Sequence, residues 1–365
     1  MYYRNISLAA QRKRWAAHET NSINRKSKNM PVDQIIAENV PNISGVVFRH
    51  FCGESDYAAI AKIITGSSKA DGLEREVKAE DISVAFSTHL TNCDPYKDII
   101  FAEVAGEIVG YARGWWVEET PSMRLYEHNG FILPAWRRKG IGFALLCWLV
   151  KRLKEIAETH PSEYEKYLHT TVSQAEEGAI TLLERSGYQP VRHFYQMIRP
   201  NLDDILDSPL PSGLEVRPVT KKHYQAIWKQ VIEASQGEWG YSKPTKDSYQ
   251  AWLEHPHFQP NLWQIAWDPI KNEVVGTVLT FIDHEENKQF GRNRGYTEGV
   301  GVLQKWRRKG VASALISLSL KAQKDAGMHE SALVADTDSD RDVIRLFEKC
   351  GFQVASKETI YRKPL

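Results

Sequence analysis

The chain is short of several things that would commit it to a special environment. Four cysteines in 365 residues (Cys52, Cys93, Cys147 and Cys350) show no C-x-x-C spacing, so neither a zinc site nor a disulfide framework is indicated. No metal is expected on this ground. The longest apolar run, Ile141 to Val150, falls short of the roughly 18 to 20 residues that span a bilayer. The N-terminus lacks an apolar core of the secretory type. A cytoplasmic protein with no membrane partner is the expectation. Charge of one sign is missing too. Lys plus Arg number 47 and Asp plus Glu 46, a formal net charge of +1, so no global field steers the chain to nucleic acid. What is abundant is aromatic: 11 Trp and 15 Tyr, more than two plain cores need. At roughly 150 residues per domain, the length argues for about two domains.

The chain also repeats itself. Trp136-Arg137-Arg138-Lys139-Gly140 recurs as Trp306-Arg307-Arg308-Lys309-Gly310. Tyr126 and Tyr296 precede these tryptophans at equal distance, and Gly187-Tyr188 and Gly351-Phe352 follow a helical pattern in each half. Gly45 to Arg49 matches Gly213 to Arg217. The repeat spans nearly a whole domain, too long a period for a solenoid. The expected organisation is a basic extension over 1–44, a first domain over 45–200, a linker over 201–212 (NLDDILDSPLPS) and a second domain over 213–365. Seven Lys/Arg against Glu19 in residues 1–30 read as a flexible or partner-packed extension, or as sequence ahead of a start at Met30, rather than as a nucleic-acid arm.

In the second half, strands are predicted at 214–218, 263–267, 274–281, 295–303, 331–334 and 359–362. Helices are predicted at 222–235, 246–253, 308–326 and 340–349. The first half follows the same order. Strand-rich stretches followed by crossover helices imply an α/β (α+β) fold in which each half is a mixed, mostly antiparallel twisted sheet flanked by helices.

The repeated element is strand, turn, R-x-x-G-x-G/A, helix: Arg137-x-x-Gly140-x-Gly142 and Arg307-x-x-Gly310-x-Ala312. Glycine permits unusual torsions and close backbone approach. Unpaired N–H groups and a positive dipole end lie at a helix start. A pyrophosphate suits such a place. The pattern resembles the pyrophosphate loop of the GCN5-related N-acetyltransferase (GNAT) fold, and the resemblance covers about residues 45–365 as a tandem pair. It implies acetyl-CoA as cofactor. Arg137, Arg138, Lys139, Gly140, Ile141 and Gly142, or Arg307, Arg308, Lys309, Gly310, Val311 and Ala312 with Asp340, would hold the pyrophosphate. Backbone groups of Ile132 and Leu133, or Val302 and Leu303, would meet the pantetheine arm.

The reaction implied is direct attack of an amine on a thioester, with a small-molecule primary amine as partner. The resemblance points to Glu298 as base, with His128 as its counterpart. The family's general-acid tyrosine is replaced by Leu183 and Phe347, and Tyr361 and Tyr195 on the closing strands are the substitutes considered. The second half, with Glu298 and Asp336-Thr337-Asp338, is the better equipped. The loop Gly237-Glu238-Trp239-Gly240-Tyr241 is expected to line the acceptor pocket through Trp239 and Tyr241, or else to be a packed anchor. His255-Pro256-His257 reads as a surface turn and Asp283 to Glu286 as a solvated loop. Trp115-Trp116 reads as packing. A catalytically silent acyl-CoA-binding protein is the alternative.

Overall fold

The apolar stretch Ile99 to Val104 and the stretch around Val109 to Ala112 are buried almost throughout. Strands so covered need helices on both faces. The computed structural model describes residues 34–35, 39–88, 90–120, 122–241, 243–338 and 341–365, so the basic extension over 1–30 and Asp340 lie outside the described residues. The chain divides into two compact units. One runs to Arg192 and takes in Glu358–Leu365; the other is His193–Lys357.

The first unit contains β1 (Gln34–Ile35), β2 (Val46–His50), α1 (Tyr57–Ala70), α2 (Ala79–Thr88), α3 (Pro95–Asp98), β3 (Ile99–Val104), β4 (Glu107–Thr120), β5 (Met123–Ile132), α4 (Ile141–Glu158), β6 (Glu165–Ser173) and α5 (Glu177–Arg185). Neighbouring strands from β1 to β5 pair antiparallel, and β5 pairs parallel with β6. Helix α4 lays Ile141, Ala144, Leu145 and Leu149 on one face, against Phe48, Ile100 and Ala112. Helices α1 and α2 bring Ile60, Ile63 and Ile82 to the other, against Phe101 and Tyr111. Burial of each such side chain is worth about 1.5–3 kcal/mol.

The strand β7 (Gln189–Arg199) leads into the second half: β8 (Glu215–Val216), α6 (Tyr224–Ala234), α7 (Ser248–Leu253), β9 (Gln264–Asp268), β10 (Glu273–Val278), β11 (Phe281–Ile282), α8 (His284–Phe290), β12 (Arg294–Tyr296), β13 (Gly301–Val302), α9 (Val311–Asp325), β14 (Glu330–Asp336), α10 (Arg341–Lys349) and β15 (Gln353–Pro364). Strands β8, β9, β10 and β13 pair antiparallel, β11 pairs with β12, and β12 pairs parallel with β14. Helix α9 buries Val311, Leu315 and Leu320 among Val275, Val278 and Leu333. Helix α6 meets Trp252, Trp263 and Trp267 on the opposite face. Much of the aromatic excess is spent in that second core. Each unit is thus mixed and mostly antiparallel between helices, with the strands of the second in two ladders, β8-β9-β10-β13 and β7-β14-β12-β11.

The boundaries read from the repeat, 45–200 and 213–365, differ from these units in one respect: the closing strands are exchanged. Strand β7 ends the first half, yet it pairs antiparallel with β14, from Phe194 opposite Asp336 to Arg199 opposite Ser331. Strand β15 ends the second half, yet it pairs antiparallel with β6, from Glu358 opposite Ser173 to Pro364 opposite Tyr167. Ladder bonds join backbone to backbone, so either closing strand satisfies either edge.

Two other expectations are corrected. The segment from Asp283 is not a solvated loop. Asp283 caps α8 by accepting from the Glu286 N–H at 3.0 Å, and Glu286 accepts from the Tyr296 hydroxyl at 2.8 Å. His255-Pro256-His257 is not a surface turn at its second histidine. His257 is buried, with Nε2 3.2 Å from Asp283 and its ring stacked 4.1 Å from that of Phe281. Trp115 and Trp116 are half-buried, each within 5 Å of an arginine, Arg113 and Arg124 respectively.

Candidate active site

The two R-x-x-G loops follow nearly the same backbone path. Leu133 and Leu303 have φ, ψ of −55°, 137° and −56°, 140°. Arg138 and Arg308 sit at φ 61° and 62°, and Gly140 and Gly310 at 90° and 89°. A non-glycine residue in that region costs roughly 1–3 kcal/mol, and the chain carries that cost twice, in two different surroundings. Gly140 and Gly310 each serve as the N-cap of the following helix with no side-chain cap. The first-turn N–H groups of α4 and α9 therefore point out of the fold beside a positive dipole end. Lys139 and Lys309 lie over the Trp136 and Trp306 rings at 4.7 and 4.9 Å. The Arg137 Nε donates to Ile132 O, and the Arg307 Nε to Val302 O. Leu133 and Leu303 donate their N–H groups to Val109 and Val275, and their carbonyls accept from Trp136 and Trp306. Strand alternation leaves the N–H groups of Ile132 and Val302 for the opposite edge.

What lies against the loops differs. The Arg137 guanidinium is tied to both Asp71 oxygens at 2.6 and 2.8 Å and to the Ser67 carbonyl and hydroxyl. A Cβ on Gly140 would meet Pro41 Cβ at 3.0 Å. In the second half, Arg307 is exposed and, among the described residues, its terminal nitrogens reach the Ala234 carbonyl, at 3.3 Å. Nothing lies within 4 Å of a Cβ placed on Gly310. Arg308 pairs with Asp342 at 2.6 Å on the surface. Among the described residues, nothing covers Gly310. The first loop is covered by its own chain.

Glu298 and His128 occupy equivalent positions, each just beyond the last residue of the parallel strand pair. Strand β12 pairs with β14 up to Tyr296, and Thr297 N–H still donates to Ala332 at 2.9 Å; Glu298 is next. Strand β5 pairs with β6 up to Glu127; His128 is next. The strands part there in both units. His128 is buried, with Nε2 2.7 Å from the Tyr188 hydroxyl. Burial pushes its pKa down to about 4, so it is neutral at pH 7. Glu298 is different: its Oε1 is buried with no hydrogen-bond partner. Burial raises its carboxyl well above the ordinary range, opposed by a hydrogen bond from the Val334 N–H.

Tyr361 is a correction. Strand exchange carries it into the unit of His128, opposite Thr170. It is 4% exposed and donates to Glu184 Oε1 at 3.1 Å, so it does not belong to the Glu298 unit. Tyr195 does, opposite Ala335. Phe347 and Leu183 are buried in their respective cores. The loop after α6 is folded by turns from Ser235 to Glu238 and from Glu238 to Tyr241. Trp239 in it is half-buried, its ring centre 6.3 Å from Phe194. Burial lifts the Glu238 carboxyl, against the attraction of Arg307 and with the repulsion of Asp336. Sequence reading missed Phe194, Gln196 and Val334 as neighbours of this site. The alternation of β7 was visible, but nothing in it said which edge the strand would join. Among the described residues, no group of three or more His, Cys, Asp or Glu is arranged to hold a metal ion.

Both units thus part their parallel strand pair beside an uncapped, glycine-led helix start. The chain belongs to the acetyltransferase (GNAT) family, whose model matches residues 70–188 and again 228–352. It is 24% identical over 158 residues to a mycothiol acetyltransferase of Corynebacterium efficiens, covering 42% of this chain and 48% of that protein. It is 27% identical over 114 residues to an N-alpha-acetyltransferase of Sulfurisphaera tokodaii, covering 30% of this chain and 67% of that one. The match thus spans about half the length of the first of these relatives. A GCN5-related N-acetyltransferase from Sphaerobacter thermophilus shares the fold with a TM-score of 0.70 at 23% identity, over 88% of this chain and 96% of that one. A tandem GNAT protein from the clavulanic acid biosynthesis pathway does so at 0.57 and 14%, over 87% and 98%.

Proposed function

We propose that the second half transfers an acetyl group from acetyl-CoA to the primary amine of a small molecule. The observation that carries this is Glu298 at the parting of β12 and β14, half-buried, with one carboxylate oxygen buried and unpartnered and a bond from the Val334 N–H, beside an anion loop with open space at Gly310 among the described residues. Arg307, Arg308, Lys309 and the first-turn N–H groups of α9 at Val311 and Ala312 would hold the pyrophosphate. Bound there, acetyl-CoA supplies an activated thioester. Glu298 takes the proton that an ammonium group must lose before its nitrogen can attack. A carboxyl raised by burial is suited to this near neutral pH, because a base works best when its pKa approaches that of its medium. Trp239 and Tyr241 flank the acceptor. Among the described residues no helix is long and apolar enough to cross a membrane; a cytoplasmic location is part of the proposal and does not follow from that.

The second reading is acyl-CoA binding without turnover. Phe347 and Leu183, neither able to give a proton, favour it. The test is CoA release from acetyl-CoA with a panel of primary amines, comparing wild type with Glu298→Gln. Turnover by wild type, reduced at least about 100-fold in the variant, supports the transferase. Acetyl-CoA binding without CoA release from any amine supports the silent reading.

A further inference from the structure

We propose that the closing strand of the first half selects the acceptor for the second half's site, through Phe194 and Gln196, and that the acceptor is a primary amine with an aromatic or other apolar body. This rests on the assignment of Glu298 above.

The two faces of β7 are distinguished by what they touch. Met197 and Tyr195 pack with Leu333, Ala335 and the α9 residues Leu315 and Leu320. Ile198 packs instead with Ala332, Phe281 and Tyr296. Successive strand residues alternate faces, so Gln196 and Phe194 share the Ile198 face, away from α9. Gln196 stands opposite Val334, the residue whose N–H bonds the Glu298 carboxylate. Side chains directly opposite in such a pair lie about 4.5–5.5 Å apart at Cβ. Phe194 stands opposite Asp336, and its ring meets Trp239 at 6.3 Å with the planes 57° apart. One face of β7 thus runs from the amide opposite Val334, whose N–H bonds the Glu298 carboxylate, to an aromatic pair in the loop after α6.

That order has a chemical meaning. The carboxylate end suits the reacting nitrogen, and the Phe194–Trp239 end suits an apolar body, with the Gln196 side chain between them. None of these β7 residues belongs to the half whose motif they serve. A second half taken from its own sequence limits, 213–365, would lack this wall entirely.

The test uses the full-length protein. Phe194→Leu and Gln196→Met keep apolar volume at the two positions, and Val191→Ala, exposed on the same strand within the other unit, is the control. Steady-state CoA release is measured with phenethylamine, tryptamine, butylamine and putrescine, and acetyl-CoA affinity by calorimetry. The expected result is a preference of wild type for the arylalkyl amines. It falls at least about tenfold in kcat/KM in both variants, through KM, with acetyl-CoA affinity within about twofold. Val191→Ala keeps the wild-type preference. An unchanged order of preference in both variants overturns the proposal, as does an equal loss for every amine. Saturation-transfer NMR of the same amines with CoA present separates this from the transferase reading. If no amine is turned over yet phenethylamine binds wild type and not Phe194→Leu, the wall stands and the transferase falls. If none is turned over and none binds, both fall.

Discussion

The two anion loops are the same backbone in different company. Arg138 and Arg308 adopt φ of 61° and 62°, and both glycines stand near 90°. Yet Arg137 is locked on Asp71 and Ser67 under a covering Pro41, while Arg307 is exposed and Gly310 open. The carboxylate-or-imidazole positions diverge in the same sense. Tyr188 occupies the His128 ring nitrogen, whereas the Glu298 Oε1 is left without a partner. A five-residue motif can therefore dictate a loop's shape without dictating its use. Use follows from which neighbours consume the groups the loop offers.

The largest way to sharpen this contrast is to remove the two apex residues in turn. Glu298→Gln is expected to lower kcat by about 10²- to 10⁴-fold, while His128→Gln leaves kcat within about threefold. The second variant instead lowers the melting temperature, because a buried hydrogen bond to Tyr188 is lost, at about 1–3 kcal/mol. Equal kinetic losses would erase the distinction between the halves. Next come the glycines. Gly310→Glu adds a like charge at an anion site and a side chain at positive φ, and should weaken acetyl-CoA binding by about 10- to 100-fold. Gly140→Glu should leave affinity unchanged, and wild type should bind one acetyl-CoA per chain by calorimetry. Two equivalents bound would break the comparison.

The pH responses should also differ in sign of interest. For His128 the folded pKa of about 4 lies below the unfolded value of about 6.5. Between them only the unfolded chain binds the proton. Stability therefore falls as pH drops through that window, by up to ~3 kcal/mol, and His128→Gln removes this slope in denaturant melts. Glu298 is raised, so its burial costs stability as pH rises through the gap between its unfolded and folded values. Activity runs the other way: kcat/KM rises with pH through that raised pKa, and the residual rate of Glu298→Gln lacks the step. Smaller again is the arginine pair. Arg137→Ala should cost about 1–3 kcal/mol of stability through the lost Asp71 bonds, with acetyl-CoA KM unchanged. Arg307→Ala should raise that KM several-fold with stability held. The smallest effect is expected at Tyr361→Phe, less than about twofold in kcat, since its hydroxyl serves Glu184 in the other unit. A large kinetic loss there would contradict the strand exchange as a boundary of the site.

Much of this was legible in the chain. The recurrence of Trp-Arg-Arg-Lys-Gly marked the duplication, and the helix after each loop showed its apolar period at Val311, Leu315 and Leu318. Glu298 stood out through the family resemblance, which expects a carboxylate on the strand before the loop. Helix α8 was not legible, because its acidic start looks like a solvated turn until Asp283 is seen capping it and Glu286 is seen holding Tyr296. Tyr361 was assigned to the half in which it is encoded, and the structure moved it.

Local order came from the sequence itself: element type, the repeat, the positive-φ loops and the uncapped helix starts all follow from residues within a few positions of one another. The tertiary structure alone decided which edge each closing strand joined, that Pro41 and Asp71 consume the first loop, and that Val334, with Gln196 opposite it, lies beside Glu298. The reason is physical. Strand pairing is made by backbone groups that are alike in every residue, so two repeats offer two chemically equivalent edges, and only the packing of the whole chain chooses between them.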